Sequence, residues 1–207
     1  MGVKTYVYVD GFNLYYGALK KSPYKWLDIS KLCAYLLQGH QIKKIKYFTA
    51  PMKVRDGEDP DKSNRQQIYL RALRTLPNVE IVEGFFLSHK VTMRRADGRG
   101  FIDVIKTEEK GTDVKLAAHL IHDGHRDKYE MAVVISNDAD LAEPIRMVVQ
   151  DLKRPVIVIS PFKKNTLALA RVASSRRQIR KGVLDISQFP DELQDAIGTF
   201  RKPEKWS

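Results

Sequence analysis

Cysteine is all but absent from this 207-residue chain: Cys33 is the single one, so an internal disulfide is impossible. Long apolar runs are absent too. The longest, Met131–Ile135 and residues 156–159, have the length of strands, well short of the ~20 residues that a membrane helix needs. The N-terminus lacks a basic-then-apolar leader, because residues 3–9 alternate and run straight into Asp10. The expectation is a cytoplasmic protein with no membrane partner. Several catalytic signatures are also missing. The chain has no G-x-x-x-x-G-K-[ST], no G-x-G-x-x-G after a strand and no G-x-S-x-G, which argues against a P-loop, the usual dinucleotide fingerprint and a nucleophile elbow. An aspartyl-phosphate phosphatase wants a second Asp two residues after the first, and position 12 is Phe.

Acidic residues are scarce where basic ones crowd. The net charge is +11. Residues 152–184 hold nine Lys/Arg (Lys153, Arg154, Lys163, Lys164, Arg171, Arg176, Arg177, Arg180, Lys181) and no acid, whereas a solvated face normally mixes signs. A polyanionic partner follows, since each cation that neutralises a phosphate releases a counterion. General solubility, an anionic membrane surface and an acidic protein are the alternatives.

What is present describes one domain. An apolar fraction of 43% over this length suffices for a single core. Residues 1–190 are expected as that domain and 191–207 as a C-terminal tail, loose at 201–207. Strands are expected at 4–9, 42–49, 79–87, 131–136 and 156–160, with a short one at 182–186. Helices are expected at 29–37, 64–76, 112–123, 141–152 and near 166–174. Asp97-Gly98 between 89–95 and 101–107 signals a hairpin. Residues 50–63 are a polar loop whose acids, Asp56, Glu58, Asp59 and Asp61, look exposed. Strands alternating with helices give an α/β fold with a parallel sheet flanked by helices and a small β-hairpin insertion, and the wholly apolar strands need cover on both faces.

Ligands of open α/β sheets bind beyond the carboxyl ends of the strands, so the residues after each strand matter most. Asp10 follows the first strand, with Asn13 three residues on. Ser136-Asn137-Asp138-Ala139-Asp140 follows the strand at 131–135. Lys110-Gly111-Thr112-Asp113 opens a helix. Clustered carboxylates repel one another unless protonated or neutralised by a cation. Oxygen ligands suit Mg²⁺ or Mn²⁺ rather than zinc. Such a site can hold one ion, or a pair ~3.5–4 Å apart, for phosphodiester cleavage. Plainer roles compete: Asp113 can serve the helix dipole with Thr112 as cap, and Asp138 or Asp140 can cap the next helix. His119, His122 and His125 lack a Cys or acid at zinc spacing beside them.

The segments Tyr8-Val9-Asp10-Gly11-Phe12-Asn13-Leu14, Lys110-Gly111-Thr112-Asp113-Val114 and Ser136-Asn137-Asp138-Ala139-Asp140-Leu141 resemble, in order, the signature segments of NYN domains of the PIN-like nuclease superfamily, with a likeness to the bacterial LabA-like group. The resemblance implies a metal-dependent ribonuclease with Mg²⁺ or Mn²⁺ held by Asp10, Asp113, Asp138 and Asp140. Asn13 and Ser136 match polar positions beside them. On this view Asp10, Asp113 and Asp138 hold metal directly, and Asp140 serves a second metal or acts through water. Asn13 and Ser136 orient ligands or meet a phosphate oxygen. Lys110, Lys163, Lys164, Arg176, Arg177, Arg180 and Lys181 are the expected phosphate contacts. Tyr15 and Tyr16 divide between base stacking and the core. RNA is the expected partner, with DNA left open and a homo-oligomer allowed. The rivals are a non-catalytic RNA-binding or regulatory module and a phosphohydrolase acting on nucleotides.

Overall fold

Strand β1 (Val3–Asp10), rich in β-branched and aromatic residues, lies at the centre of a parallel sheet. It pairs with β2 (His40–Thr49) on one side and β6 (Met131–Ile135) on the other. The computed structural model describes residues 2–52, 59–164 and 166–206; Asp56 and Glu58 lie outside them. Beyond β2 comes β3 (Val79–Glu83), and beyond β6 come β7 (Val156–Ser160) and β8 (Ser175–Gln178), giving the order β3-β2-β1-β6-β7-β8. Every residue of β7 is buried, as a strand covered on both faces requires.

Alternate side chains feed two cores. Val7, Val9, Ile45, Tyr47, Val133 and Ile135 face one. It is closed by α1 (Gly11–Leu14, continued by a π turn at Tyr15–Leu19), α2 (Ile29–Leu36) and α3 (Lys62–Arg74). Tyr8, Phe48, Ala132, Val134 and Val158 face the other. There the cover is α4 (Thr112–His125), α5 (Ala142–Arg146, entered through a 3-10 turn at Ala139–Leu141) and α6 (Leu167–Val172). Pro144 sits in the first turn of α5, where its missing N–H costs nothing. No helix among the described residues is long and apolar enough to cross a membrane.

The second core encloses a polar network. Lys46 Nζ lies 2.5 Å from Asp123 Oδ2, both side chains under a tenth exposed. The Tyr8 hydroxyl donates to the same oxygen at 2.8 Å, and His119 Nδ1 stands 3.0 Å from Lys46 Nζ.

Four expectations need correction. The strand at 79–87 breaks at Gly84, whose N–H donates to Thr49 O at 2.7 Å. The chain then leaves the sheet as β4 (Phe85–Arg94), pairing antiparallel with β5 (Phe101–Lys110). This is the expected hairpin, grown longer at its open end, where Phe85 pairs with Lys110, with Phe85, Leu87, Phe101 and Ile105 exposed. Residues 182–186 form no strand: α7 (Lys181–Ile186) is a helix. Neighbours Val183 and Leu184 both pack on the first core, which a strand, sending them to opposite faces, would not allow. Asp59 is half-buried and paired with Arg65 at 2.6 Å rather than exposed. Finally, the ending is not loose over its described residues. Strands β9 (Glu192–Asp195) and β10 (Gly198–Arg201) form a hairpin clamped by Arg71, which makes two 2.7 Å bonds to Asp195. The Trp206 ring packs on Trp26 and Tyr69 at centroid distances of 6.4 and 6.1 Å; a late aromatic has enough apolar area to hold the end down.

Candidate metal centre

The strand order reverses between β1 and β6, and the crevice that opens there at the carboxyl ends is where α/β sheets take ligands. Asp10 ends β1 and is 6% exposed. Its Oδ1 accepts from Asn13 N and its Oδ2 from Ser136 Oγ, each at 2.9 Å. Gly11 must follow, because a Cβ there would stand 2.7 Å from Phe48 O and 2.8 Å from the Tyr47 ring. Across the crevice, the loop after β6 is pinned by Asn13 Oδ1, which accepts from Asn137 N at 2.8 Å. Asp138 N donates to the buried Ser136 Oγ at 3.1 Å, and Asp138 Oδ1 accepts from Asp140 N at 3.0 Å. Asp113 comes from the start of α4. The cap there is Gly111 at φ +91°, a left-handed conformation open to glycine, so Thr112 is not the cap.

These turns bring Asp10, Asp113 and Asp138 together, with one oxygen from each lying within 4.8 Å of the others. Among the described residues no Lys or Arg forms an ion pair with any of the three. The crowding shows in the acidity of Asp113 and Asp10. Asp113 is pushed up to about 6, by burial first and then by Asp10, Asp138, Glu109 and Asp140. Asp10 is also raised: burial is the largest cause, opposed by the bonds from Asn13 and Ser136 and reinforced by Asp138 and Glu109.

Asp140 is exposed and outside the trio. Glu109, which the sequence gave no reason to single out, is half-buried and close enough to raise Asp10 and Asp113, with Oε1 accepting from Thr112 N at 3.1 Å. Lys163 and Lys164 are exposed in the loop after β7, and Asn137 Nδ2 donates to Lys164 O at 3.1 Å, stitching that loop to the site. Arg180 and Lys181 are exposed just past β8, at the same edge of the sheet. Arg176 is exposed on β8, whereas the Arg177 guanidinium donates to Leu36 O. Lys110 pairs with Glu108 at 3.0 Å. His119 meets Lys46 instead of joining a ligand group.

Three oxygen donors without a protein counter-charge suit a hard cation, which bonds oxygens at about 2.0–2.6 Å and so reaches all three. Because the folded state raises Asp113 above its unfolded value, it holds that proton more tightly than the unfolded chain. The associated stability is present at low pH and is lost as pH rises to about 6 and beyond. In chelator, the melting temperature is expected to fall between about pH 4 and pH 6.5 relative to Asp113→Asn, and Mn²⁺ is expected to restore it above that range. Melting that is indifferent to pH in chelator, and indifferent to Mn²⁺ added after the chelator is removed, would rule out a cation site.

The chain is 30% identical to the 6-hydroxy-3-succinoylpyridine 3-monooxygenase HspA of Pseudomonas putida, across 99% of its own length and 75% of that protein's. A crystal structure of a Vibrio parahaemolyticus protein of unknown function shares the fold, with a TM-score of 0.58 at 17% identity, over 87% of this chain and 94% of that one. The NYN domain model matches residues 4–179, from β1 through β8. The chain therefore belongs to the NYN domain family of the PIN-like nuclease superfamily.

Proposed function

We propose that the protein is a metal-dependent ribonuclease, and the observation that carries the proposal is the convergence of Asp10, Asp113 and Asp138. Mg²⁺ or Mn²⁺ bound there would supply a water activated at neutral pH and charge stabilisation for the leaving oxygen. The chain's own residues do the positioning. Ser136 and the Asn13 backbone hold both Asp10 oxygens in place. The Asn13 side chain fixes the loop that carries Asp138. Asp140 is assigned to a second ion or to an ordered water at the rim. Lys163, Lys164, Arg176, Arg180 and Lys181 are assigned to RNA phosphates, with Lys110 and Arg177 joining only if they leave Glu108 and Leu36. The test is cleavage of single-stranded and structured RNAs by the wild type with Mg²⁺ or Mn²⁺, against a chelated control. No cleavage of any substrate would favour a binding module.

Counting only the four of these cations that lie in the loops past β7 and β8, Lys163, Lys164, Arg180 and Lys181, the log–log salt slope on a single strand is about −2.8, so affinity is expected to drop about 50-fold between about 50 and 200 mM salt. Each charge removed among Lys163, Lys164, Arg180 and Lys181 is expected to flatten the slope by about 0.7. Equilibrium binding across a salt series measures this, and a slope near zero would remove the polyanion from the proposal.

The Pseudomonas relative supports a second reading. Its name describes oxidation of a hydroxylated pyridine, and the acids here adjoin an aromatic-lined cavity beginning at Gly11 and Phe12. Oxygen consumption with such a substrate and a reductant, with no RNA cleavage, would favour it.

A further inference from the structure

The cavity beside the aspartates has a volume of about 310 Å³, at the lower end for small-ligand sites. None of Asp10, Asp113 and Asp138 lines it, yet it starts at the next residues along the chain, Gly11 and Phe12. Tyr47 on its wall is the cross-strand partner of Val9. Its aromatic lining is Phe12, Tyr15, Tyr16, Tyr47, Tyr69 and Trp206. The floor is fixed: the Tyr69 hydroxyl donates to Leu27 O at 2.9 Å, and its ring meets Tyr47 and Trp206 edge-on. Tyr47 is only 5% exposed, and its hydroxyl makes no hydrogen bond with any described residue. At the mouth Tyr16 is 52% exposed and carries Lys20 Nζ 4.7 Å over its ring.

The charge of the lining is one-sided. Among the described residues, Lys20, Lys25 and Arg65 line it with one acid, Asp59, and Asp59 is already bonded to Arg65 at 2.6 Å and Lys205 at 2.5 Å. A rigid aromatic slot with an unbonded hydroxyl on its wall and a cationic rim suits a flat ring tethered to negative charge. A nucleic-acid strand offers both. Because the slot begins one residue from Asp10, a base lying in it sets its backbone toward the carboxylates.

We propose that this cavity receives one unstacked base of the RNA strand whose neighbouring phosphate lies at the three aspartates, a proposal that rests on the ribonuclease reading. The test is binding of a fluorescent RNA oligonucleotide in chelator, where cleavage is silent. It compares an intact strand with one carrying an abasic site, on the wild type, Tyr16→Ala and Tyr16→Phe. The wild type is expected to bind the abasic strand roughly 5- to 100-fold more weakly. Tyr16→Ala is expected to bind the intact strand more weakly by a similar factor, with a smaller preference for it and an unchanged salt slope, and Tyr16→Phe to recover both. Equal wild-type affinity for the two strands would overturn the proposal, as would occupation of the cavity by a free aromatic acid that the intact strand does not displace. Base-dependent binding with no cleavage on adding Mn²⁺ would sink the ribonuclease reading and leave the slot standing. Cleavage without base dependence would do the reverse.

Discussion

Asp10→Asn is expected to lower Mg²⁺- or Mn²⁺-dependent cleavage at least about 100-fold, or ~2.7 kcal/mol at the transition state. The substitution keeps the shape of the side chain. Its amide oxygen can still accept from Asn13 N, and its nitrogen can donate to Ser136 Oγ, so the crevice should keep its form. What it removes is one of three crowded negative charges. In chelator the variant is therefore expected to melt higher than the wild type near pH 7, since a repulsion is relieved, while gaining less from added Mn²⁺. The opposite signs of the two effects are informative, because a variant that simply misfolds melts lower in both conditions. Ser136→Ala touches the same carboxylate from behind and is expected to lose about 10- to 100-fold in activity or metal affinity. Wild-type cleavage rates and an unchanged Mn²⁺ response in Asp10→Asn would end the metal-centre assignment.

Asp123→Ala is expected to destabilise the fold by about 3–5 kcal/mol. It leaves Lys46 Nζ buried without its 2.5 Å partner and deprives the Tyr8 hydroxyl of its acceptor. His119 can accept from Lys46 through Nδ1 but brings no negative charge, and its own pKa is lowered by burial first and by Lys46 next. The companion variant Lys46→Met/Asp123→Leu removes both charges and is expected to recover much of the loss, because the uncompensated charge, rather than the missing pair, carries most of the penalty. Urea denaturation of the variants measures this. A loss below about 1 kcal/mol for the single change would mean that water reaches Lys46.

The central sheet was legible because physics wrote it locally. Residues 131–135 and 156–159 are apolar without interruption, and that pattern has few homes besides a strand buried on both faces. The edge strand β8 was not legible. Ser175, Arg176, Arg177 and Gln178 are all exposed, so no alternation marks them, and β7 alone makes them a strand. The helix α7 was hidden for a related reason: a turn and a half carrying Val183, Leu184 and Ile186 looks β-rich until the core beneath it is known. At the site, Asp10, Asp113 and Asp138 stood at element junctions and could be picked out. Their plainer roles also hold: Asp10 and Asp138 each accept from a backbone N–H at the start of a turn, so the capping geometry itself aims them. Asp140 matched the same local pattern but lies outside the trio, because its side chain leaves the turn toward solvent. Glu109 gave no signal, being one acid in the charged run Lys106-Thr107-Glu108-Glu109-Lys110 of a mostly exposed strand.

The pairing of β1 with β6 has a consequence for synthesis. The first strand made waits for a late neighbour: Thr5 through Val9 find partners on that side only when residues 131–135 arrive. A ribosome-bound chain ending before β6 already carries Asp10 and Asp113, with neither Ser136 to fix the first nor Asp138 to complete the set. Half-made copies, and fragments clipped ahead of that strand, therefore lack the assembled centre.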